Sequence, residues 1–171
     1  MAVEHSEFAL LRATADDEAV LERLLELYAH ELSDVFNLEL DEAGRYGYDQ
    51  LKYYFTELTT RHAFLVRHRG HLAGFALATR GSPASEDPQV YDVAEFFIVR
   101  AHRRSGLGRQ VAFRLFDALP GHWFVRVSSG NAGALKFWAR IIEDYAHGAE
   151  RLSNRPGPSS TWQVYEFNSR A

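Results

Sequence analysis

The stretch that most constrains this chain is residues 93–119, VAEFFIVRAHRRSGLGRQVAFRLFDAL. It opens as an apolar, strand-like run, breaks at RRSGLG, and continues as a helix-like run. A glycine turn feeding a helix exposes several main-chain N–H groups that have no intrahelical partner. Those donors and the positive end of the helix dipole converge on one spot, which suits a phosphate. Gly106 and Gly108 remove side chains that would keep a ligand from the backbone, and Arg103, Arg104 and Arg109 surround the spot with positive charge. The same glycines also fit a turn that serves only to pack a strand against a helix. No G-x-x-x-x-G-K-[ST] occurs, and Val111 stands where the dinucleotide fingerprint needs its third glycine. The spacing therefore points to a pyrophosphate held outside the two commonest pyrophosphate folds.

The rest of the chain reads as alternating strands and helices. Residues 8–13 suit a short strand. Thr14 and Asp16 offer N-cap chemistry to a helix over 16–32, where Val20, Leu21, Leu24, Leu25, Tyr28 and Leu32 recur at helical spacing. Residues 37–48 are polar and glycine-punctuated, hence a loop, and a second helix is expected over 48–58. Residues 62–80 divide into two strands around Arg69-Gly70, and a loop at 81–88 leads to a strand over 90–99. A helix follows Gly106, then a strand over 122–129, a helix over 131–145, and two strands near 146–152 and 160–167. The order β-α-α-β-β-β-α-β-α-β-β is a mixed sheet flanked by helices, in one domain spanning residues 1–171.

Composition removes several classes of function. At 171 residues, 46% of them hydrophobic, the chain can bury a real core. No apolar run reaches the ~18 residues that suggest a membrane span, and the start, MAVEHSEFALLRA, carries acids early and lacks an apolar leader core. Cysteine is absent, which excludes disulfides, a thiolate nucleophile and thiolate metal sites, and fits a cytoplasmic protein. A formal charge of −4 with mixed signs disfavours a nucleic-acid partner. The eight histidines form no H-E-x-x-H or other close ligand set, so no metal is expected, and no G-x-S-x-G suggests a serine hydrolase.

RRSGLG resembles the R/Q-x-x-G-x-G/A signature of the Gcn5-related N-acetyltransferases (GNAT), and the resemblance extends well beyond it. The strand before and the helix after are in place, and NAGALKFWARII (131–142) resembles the family's second motif, in which an Asn opens a helix and an aromatic pair follows. EFFIVRAHRRSGLGRQVAFRLFD, FWARIIEDY, LYAHELSD and DEAGRYGYDQLKYYF are similar to a bacterial branch of acetyltransferases with undefined substrates. The family implies an α/β (α+β) fold: a mostly antiparallel sheet of six to seven strands with about four helices. It also implies acetyl-CoA as co-substrate, transfer to a primary amine of a small molecule, amino-acid derivative or protein by direct attack in a ternary complex, and commonly a homodimer.

Carried over by position, the amides of Arg104, Ser105, Gly106, Leu107, Gly108 and Arg109 would hold the pyrophosphate, and Arg103 fills the R/Q position. The pantetheine arm would pair with the backbone of Ile98 and Arg100. Asn131 would contact that arm or cap its helix, with Trp138 beside it. Only on the order of one part in a thousand of a lysine-type amine is neutral at pH 7, so a proton acceptor is useful. Glu95 occupies the position of the family's general base, often acting through water, and also reads as a solvated strand acid. A backbone N–H of the Phe97–Ile98 region would face the carbonyl oxygen. Tyr28, Glu31, Asp34 and Tyr54 are candidates for the acceptor site, as is Glu39. Tyr46, Tyr48, Tyr53, Tyr54 and Phe55 form an aromatic cluster that either walls a pocket or packs the core.

One departure matters. Many relatives place Tyr seven residues after the Asn as general acid, and here Trp138 stands there. A thiol with pKa near 8.5 leaves with less help than an amine or alkoxide, so the change predicts slower rather than absent turnover. Tyr145, Tyr53 and Tyr54 are the substitutes left open. Two other readings compete with the enzyme: a catalytically weak acyl-CoA-binding or sensor domain, and acetylation of an RNA-linked aminoacyl group, which the acidic balance disfavours.

Overall fold

Apolar side chains gather on both faces of one sheet, and that burial sets the architecture. In the computed structural model, which describes residues 7–170, the sheet has seven strands. They are β1 (Phe8–Arg12), β2 (Arg61–His68), β3 (His71–Arg80), β4 (Tyr91–Ile98), β5 (His122–Ser128), β6 (Arg151–Pro156) and β7 (Thr161–Asn168). Their spatial order is β1-β2-β3-β4-β5-β7-β6, antiparallel throughout except for the β4–β5 pair. The helices are α1 (Glu18–Phe36), α2 (Leu107–Ala118) and α3 (Ala132–Ala146). The reading of residues 1–13 as acid-bearing and leaderless falls in part on residues 1–6, outside the described residues.

Helix α1 covers one face. Its buried Leu21, Leu24 and Leu25 pack on Ala63, Leu65, Phe75, Leu77 and Phe97. Each such leucine contributes about 1.5–3 kcal/mol. A capping box starts this segment, with the Thr14 amide donating to Asp17 at 2.9 Å, and Asn37 ends α1 in the left-handed conformation (φ 51°). Helices α2 and α3 cover the other face, where Ala112, Leu115, Phe116, Ile141 and Ile142 meet Phe64, Ala76, Val93, Trp123 and Val125. The expected β2–β3 turn is present, with Arg69 and Gly70 both at positive φ, as a twisted two-residue hairpin requires.

Two elements differ from the expectations. The helix expected over 48–58 is a 3₁₀ segment, Leu51–Phe55. Its buried residues, Leu51 and Tyr54, are three apart, which matches three residues per turn. The first closing strand starts at Arg151 rather than near 146, because α3 runs to Ala146 and stops where His147 turns left-handed (φ 53°). The α-helices therefore number three among the described residues, not about four.

Candidate active site

Strands β4 and β5 pair only at their starts, through Tyr91↔Trp123 and Asp92↔Phe124. Beyond that point they part. The closed end is held by Arg126, whose guanidinium donates twice to the fully buried Asp92 (Nε–Oδ2 2.8 Å, Nη2–Oδ1 2.7 Å). Ser82 donates to the same carboxylate, and Arg126 lies 4.8 Å over the Trp162 ring. A cleft of about 490 Å³ occupies the gap, walled by α1, the loop after it, both strands and the start of α3.

A β-bulge aims the central acid into this gap. Leu77 pairs with Glu95 but Ala78 with Val93, so Ala94 is the extra residue. Side chains alternate between faces of a strand, and Val93 packs beneath α2 and α3. Without the bulge Glu95 would share that apolar face. With it, Glu95 turns toward α1 and takes a hydrogen bond from the Tyr48 hydroxyl at 3.1 Å. The Tyr28 hydroxyl engages the same carboxylate from α1. Burial raises the Glu95 pKa above the ordinary carboxylate value, while the Tyr28 and Tyr48 hydrogen bonds and the Arg126 charge pull the other way. Burial and the facing carboxylate push both tyrosines well up, so they stay protonated donors.

Tyr48 reaches Glu95 because its loop is fastened to α1. The Glu26 carboxylate accepts from the amides of Tyr46 (2.9 Å) and Gly47 (2.8 Å), and Arg45 pairs with Glu22 at 3.0 Å.

The RRSGLG turn lies beyond the other end of β4. Among the described residues, the amides of Arg104, Ser105, Gly106, Leu107, Gly108 and Arg109 have no intramolecular acceptor; the next amide, Gln110, donates to the Gly106 carbonyl at 3.2 Å. Arg104 (φ 63°) and Gly106 (φ 81°) are left-handed, a backbone path that turns neighbouring N–H groups into one concavity. The two glycines serve different needs. Gly106 supplies the positive φ, whereas a Cβ on Gly108 would come within 2.9 Å of the Phe137 ring. Arg109 pairs with Asp144 at 3.1 Å, and Arg100 and Arg103 pair with Glu31 at 3.1 and 2.7 Å. Among the described residues the Arg104 guanidinium is the one at this turn without a partner.

The main-chain edge of β4 is divided by its ladder. The Val99 amide donates to Ala73 at 2.8 Å, and Ile98 faces Gly74 in register. Alternation then turns the N–H of Phe97 into the ladder with Phe75 and that of Ile98 toward the gap. The Ile98 carbonyl accepts from Arg103 Nε at 2.6 Å.

Asn131 caps α3, its side-chain oxygen accepting from the Ala134 amide at 3.1 Å, and also lines the cleft. Trp138 is buried against Phe96, edge to face at 5.1 Å, where it walls the cleft. Asp34 is exposed and outside the cleft lining, while Glu39 lies on its wall. Of the substitute acids, Tyr145 donates to Asp117 at 2.6 Å away from the cleft, and Tyr53 also lies outside its lining. The Tyr54 hydroxyl is buried beside Tyr48 and Arg61, and burial, with the Glu95 charge adding to it, pushes its pKa up to about 12. Sequence reasoning did not link Tyr48 to Glu95 or Arg126 to Asp92; neither pair has a local spacing signal.

No cluster of metal-ligating side chains occurs among the described residues, and none of their helices is long and apolar enough to cross a membrane. The fold is similar to several solved structures. One is an acetyltransferase from Thermus thermophilus, at 19% identity over 95% of this chain and 97% of that one, with TM-score 0.64. Another is yncA from Salmonella typhimurium with its cofactor acetyl-CoA, at 14% identity, 95% and 94% coverage and TM-score 0.64. A third is aminoglycoside acetyltransferase AAC(6')-Ib with coenzyme A and kanamycin, at 15% identity, 94% coverage of both chains and TM-score 0.66. No curated protein matches by sequence. At these identities the structural likenesses speak for the fold alone. The model of the acetyltransferase (GNAT) family matches residues 21–142, most of the chain and, Trp162 apart, the lining of the gap, and the chain accordingly belongs to that family.

Proposed function

We propose that the chain is a single-domain, cytoplasmic N-acetyltransferase that uses acetyl-CoA and acts on a primary amine. One observation carries the reading: a turn with six unpartnered amides lies at one end of β4, and a half-buried, tyrosine-bound carboxylate faces the gap on the same strand. That arrangement fits acetyl-CoA. The amides of residues 104–109 and the Arg104 guanidinium match a pyrophosphate. The free N–H of Ile98 and the cleft walls at Asn131 and Trp138 suit an extended amide-bearing arm.

When bound, acetyl-CoA supplies a thioester carbonyl that a neutral amine can attack. The chain's residues prepare that amine. Glu95, held by Tyr28 and Tyr48, takes one proton from the ammonium, directly or through water. A C–N bond then forms and the C–S bond breaks; the second amine proton leaves with the thiol sulfur or to solvent. Trp138 cannot donate a proton there, and a thiolate of ordinary pKa leaves without one. The Ile98 N–H, aimed at the gap, is the main-chain donor for the carbonyl oxygen.

The test is calorimetric binding of acetyl-CoA to wild type and to an Arg104→Glu variant, followed by thiol release with amine acceptors. Micromolar binding, about −8 kcal/mol, that weakens at least tenfold in the variant supports the cradle. No heat and no thermal shift at millimolar acetyl-CoA would sink the proposal.

A further inference from the structure

The part of the cleft formed by α1, its following loop and β7 describes the amine, given the reading above. Leu32, Phe36, Leu38, Tyr46 and Trp162 line it. Phe36 and Leu38 are each 37% exposed, so large apolar side chains stand at the rim of a concave site instead of packing into the core. The acids that a polycation would need are engaged elsewhere. Glu31 is bound by Arg100 and Arg103, Glu26 by two loop amides, and Glu22 by Arg45. Arg126 is neutralised by Asp92 at the closed end. On this wall Glu39 is the carboxylate without a partner among the described residues.

Glu95 serves the reacting nitrogen, Glu39 is the one further carboxylate of the lining, and the rest of this wall is apolar and aromatic, which is complementary to a ligand with one ammonium and an apolar body. We infer that the acceptor is a monoamine whose nitrogen is carried by a short chain on an aromatic or similarly flat apolar group. Several ammonium groups, as in an aminoglycoside or a polyamine, would find one counter-charge beyond Glu95 and leave the rest facing leucine, phenylalanine and tryptophan. A small alkylamine satisfies the charge but leaves the apolar wall unused.

The experiment compares 2-phenylethylamine, propylamine, spermidine and kanamycin as acceptors by thiol release, with acetyl-CoA binding measured separately by calorimetry. The expected result is kcat/KM for 2-phenylethylamine roughly ten- to hundredfold above that for propylamine, and above both polycations. Leu32 lies outside the buried core, so Leu32→Gln keeps the fold while placing an uncharged polar group on the wall. That variant raises KM for 2-phenylethylamine about tenfold and leaves the Kd for acetyl-CoA unchanged. Normal acetyl-CoA binding with spermidine or kanamycin preferred, or with no turnover of the aryl amine, overturns the inference and leaves the cofactor reading standing. Failure to bind acetyl-CoA overturns both.

Discussion

Tyr48 donates its hydroxyl to Glu95 at 3.1 Å, from a loop that Glu26 fastens to α1. A hydrogen bond to a carboxylate favours its ionised form, so this contact opposes the upward push of burial on Glu95. Tyr48→Phe removes the donor. The acid limb of the kcat/KM profile then moves to higher pH, with a loss of about three- to tenfold on that limb and little change on the plateau. A pH–rate profile of both proteins checks this; a limb that stays in place would mean that Tyr48 only packs.

Glu95→Gln keeps the shape and removes the base. Turnover falls by about 10²–10⁴-fold while acetyl-CoA affinity holds. Stability gives an independent readout with a definite sign. Burial raises the folded pKa of Glu95, so its contribution to stability is full below the unfolded value of 4.5 and is lost as pH rises through the folded one. The variant lacks that loss. Its Tm advantage over wild type should therefore grow from pH 4 to pH 8, and a constant difference would contradict the burial described here.

Arg104 holds φ 63° without being glycine, which costs roughly 1 kcal/mol, and its guanidinium has no partner among the described residues. Arg104→Gly relieves the backbone and deletes the charge. Thermal unfolding should show a gain of about 0.5–1 kcal/mol, while calorimetry shows acetyl-CoA binding weakened several-fold. Gly108→Ala acts oppositely, since its Cβ meets the Phe137 ring at 2.9 Å: unfolding should show a loss of about 1–3 kcal/mol.

His62 is a buried imidazole with neither ring nitrogen hydrogen-bonded among the described residues. Burial, with Arg12 and Arg80 adding to it, lowers its pKa from 6.5 to about 4. A depressed folded pKa means stability is present above 6.5 and lost as pH falls toward 4, because the unfolded chain binds the proton first. His62→Phe removes an unsatisfied polar group and this titration together. At pH 7 the variant should match or exceed wild-type stability, and its advantage should widen between pH 6.5 and 4 in urea unfolding at stepped pH.

What the sequence disclosed was local. The strand, glycine turn and helix at 93–119 lie in one segment, and α1 announces itself by Leu21, Leu24, Leu25 and Tyr28 at helical spacing. The aim of Glu95 was not legible, because VAEFFIV is apolar at nearly every position and shows no alternation to mark a bulge at Ala94. Either face was open to the acid. The role of Gly108 was hidden for a related reason: its neighbour Phe137 lies on another helix. Residues 48–58 misled because apolar residues three apart, Leu51 and Tyr54, fit one turn of either helix type.

Arg126 and Asp92 also come from distant segments, and they close the gap where β4 and β5 still pair. Asp92 is 0% exposed, so its charge depends on the guanidinium and on Ser82. Arg126→Met leaves a buried carboxylate short of its counter-charge, a loss of about 3–5 kcal/mol. At about 2–4 °C per kcal/mol for a chain of this size, Tm drops by roughly 10 °C. Pairing the change with Asp92→Asn removes the stranded charge and should recover most of the loss. The double variant also separates stability from chemistry. Arg126 lowers the Glu95 pKa, whereas the Asp92 charge raises it. Arg126 is the larger of the two influences, so the refolded double variant should keep an acid limb displaced to higher pH. Thermal unfolding of the single and double variants, followed by a pH–rate profile of the double, reads both effects. A single variant within about 1 kcal/mol of wild type would show that water, not Arg126, solvates Asp92.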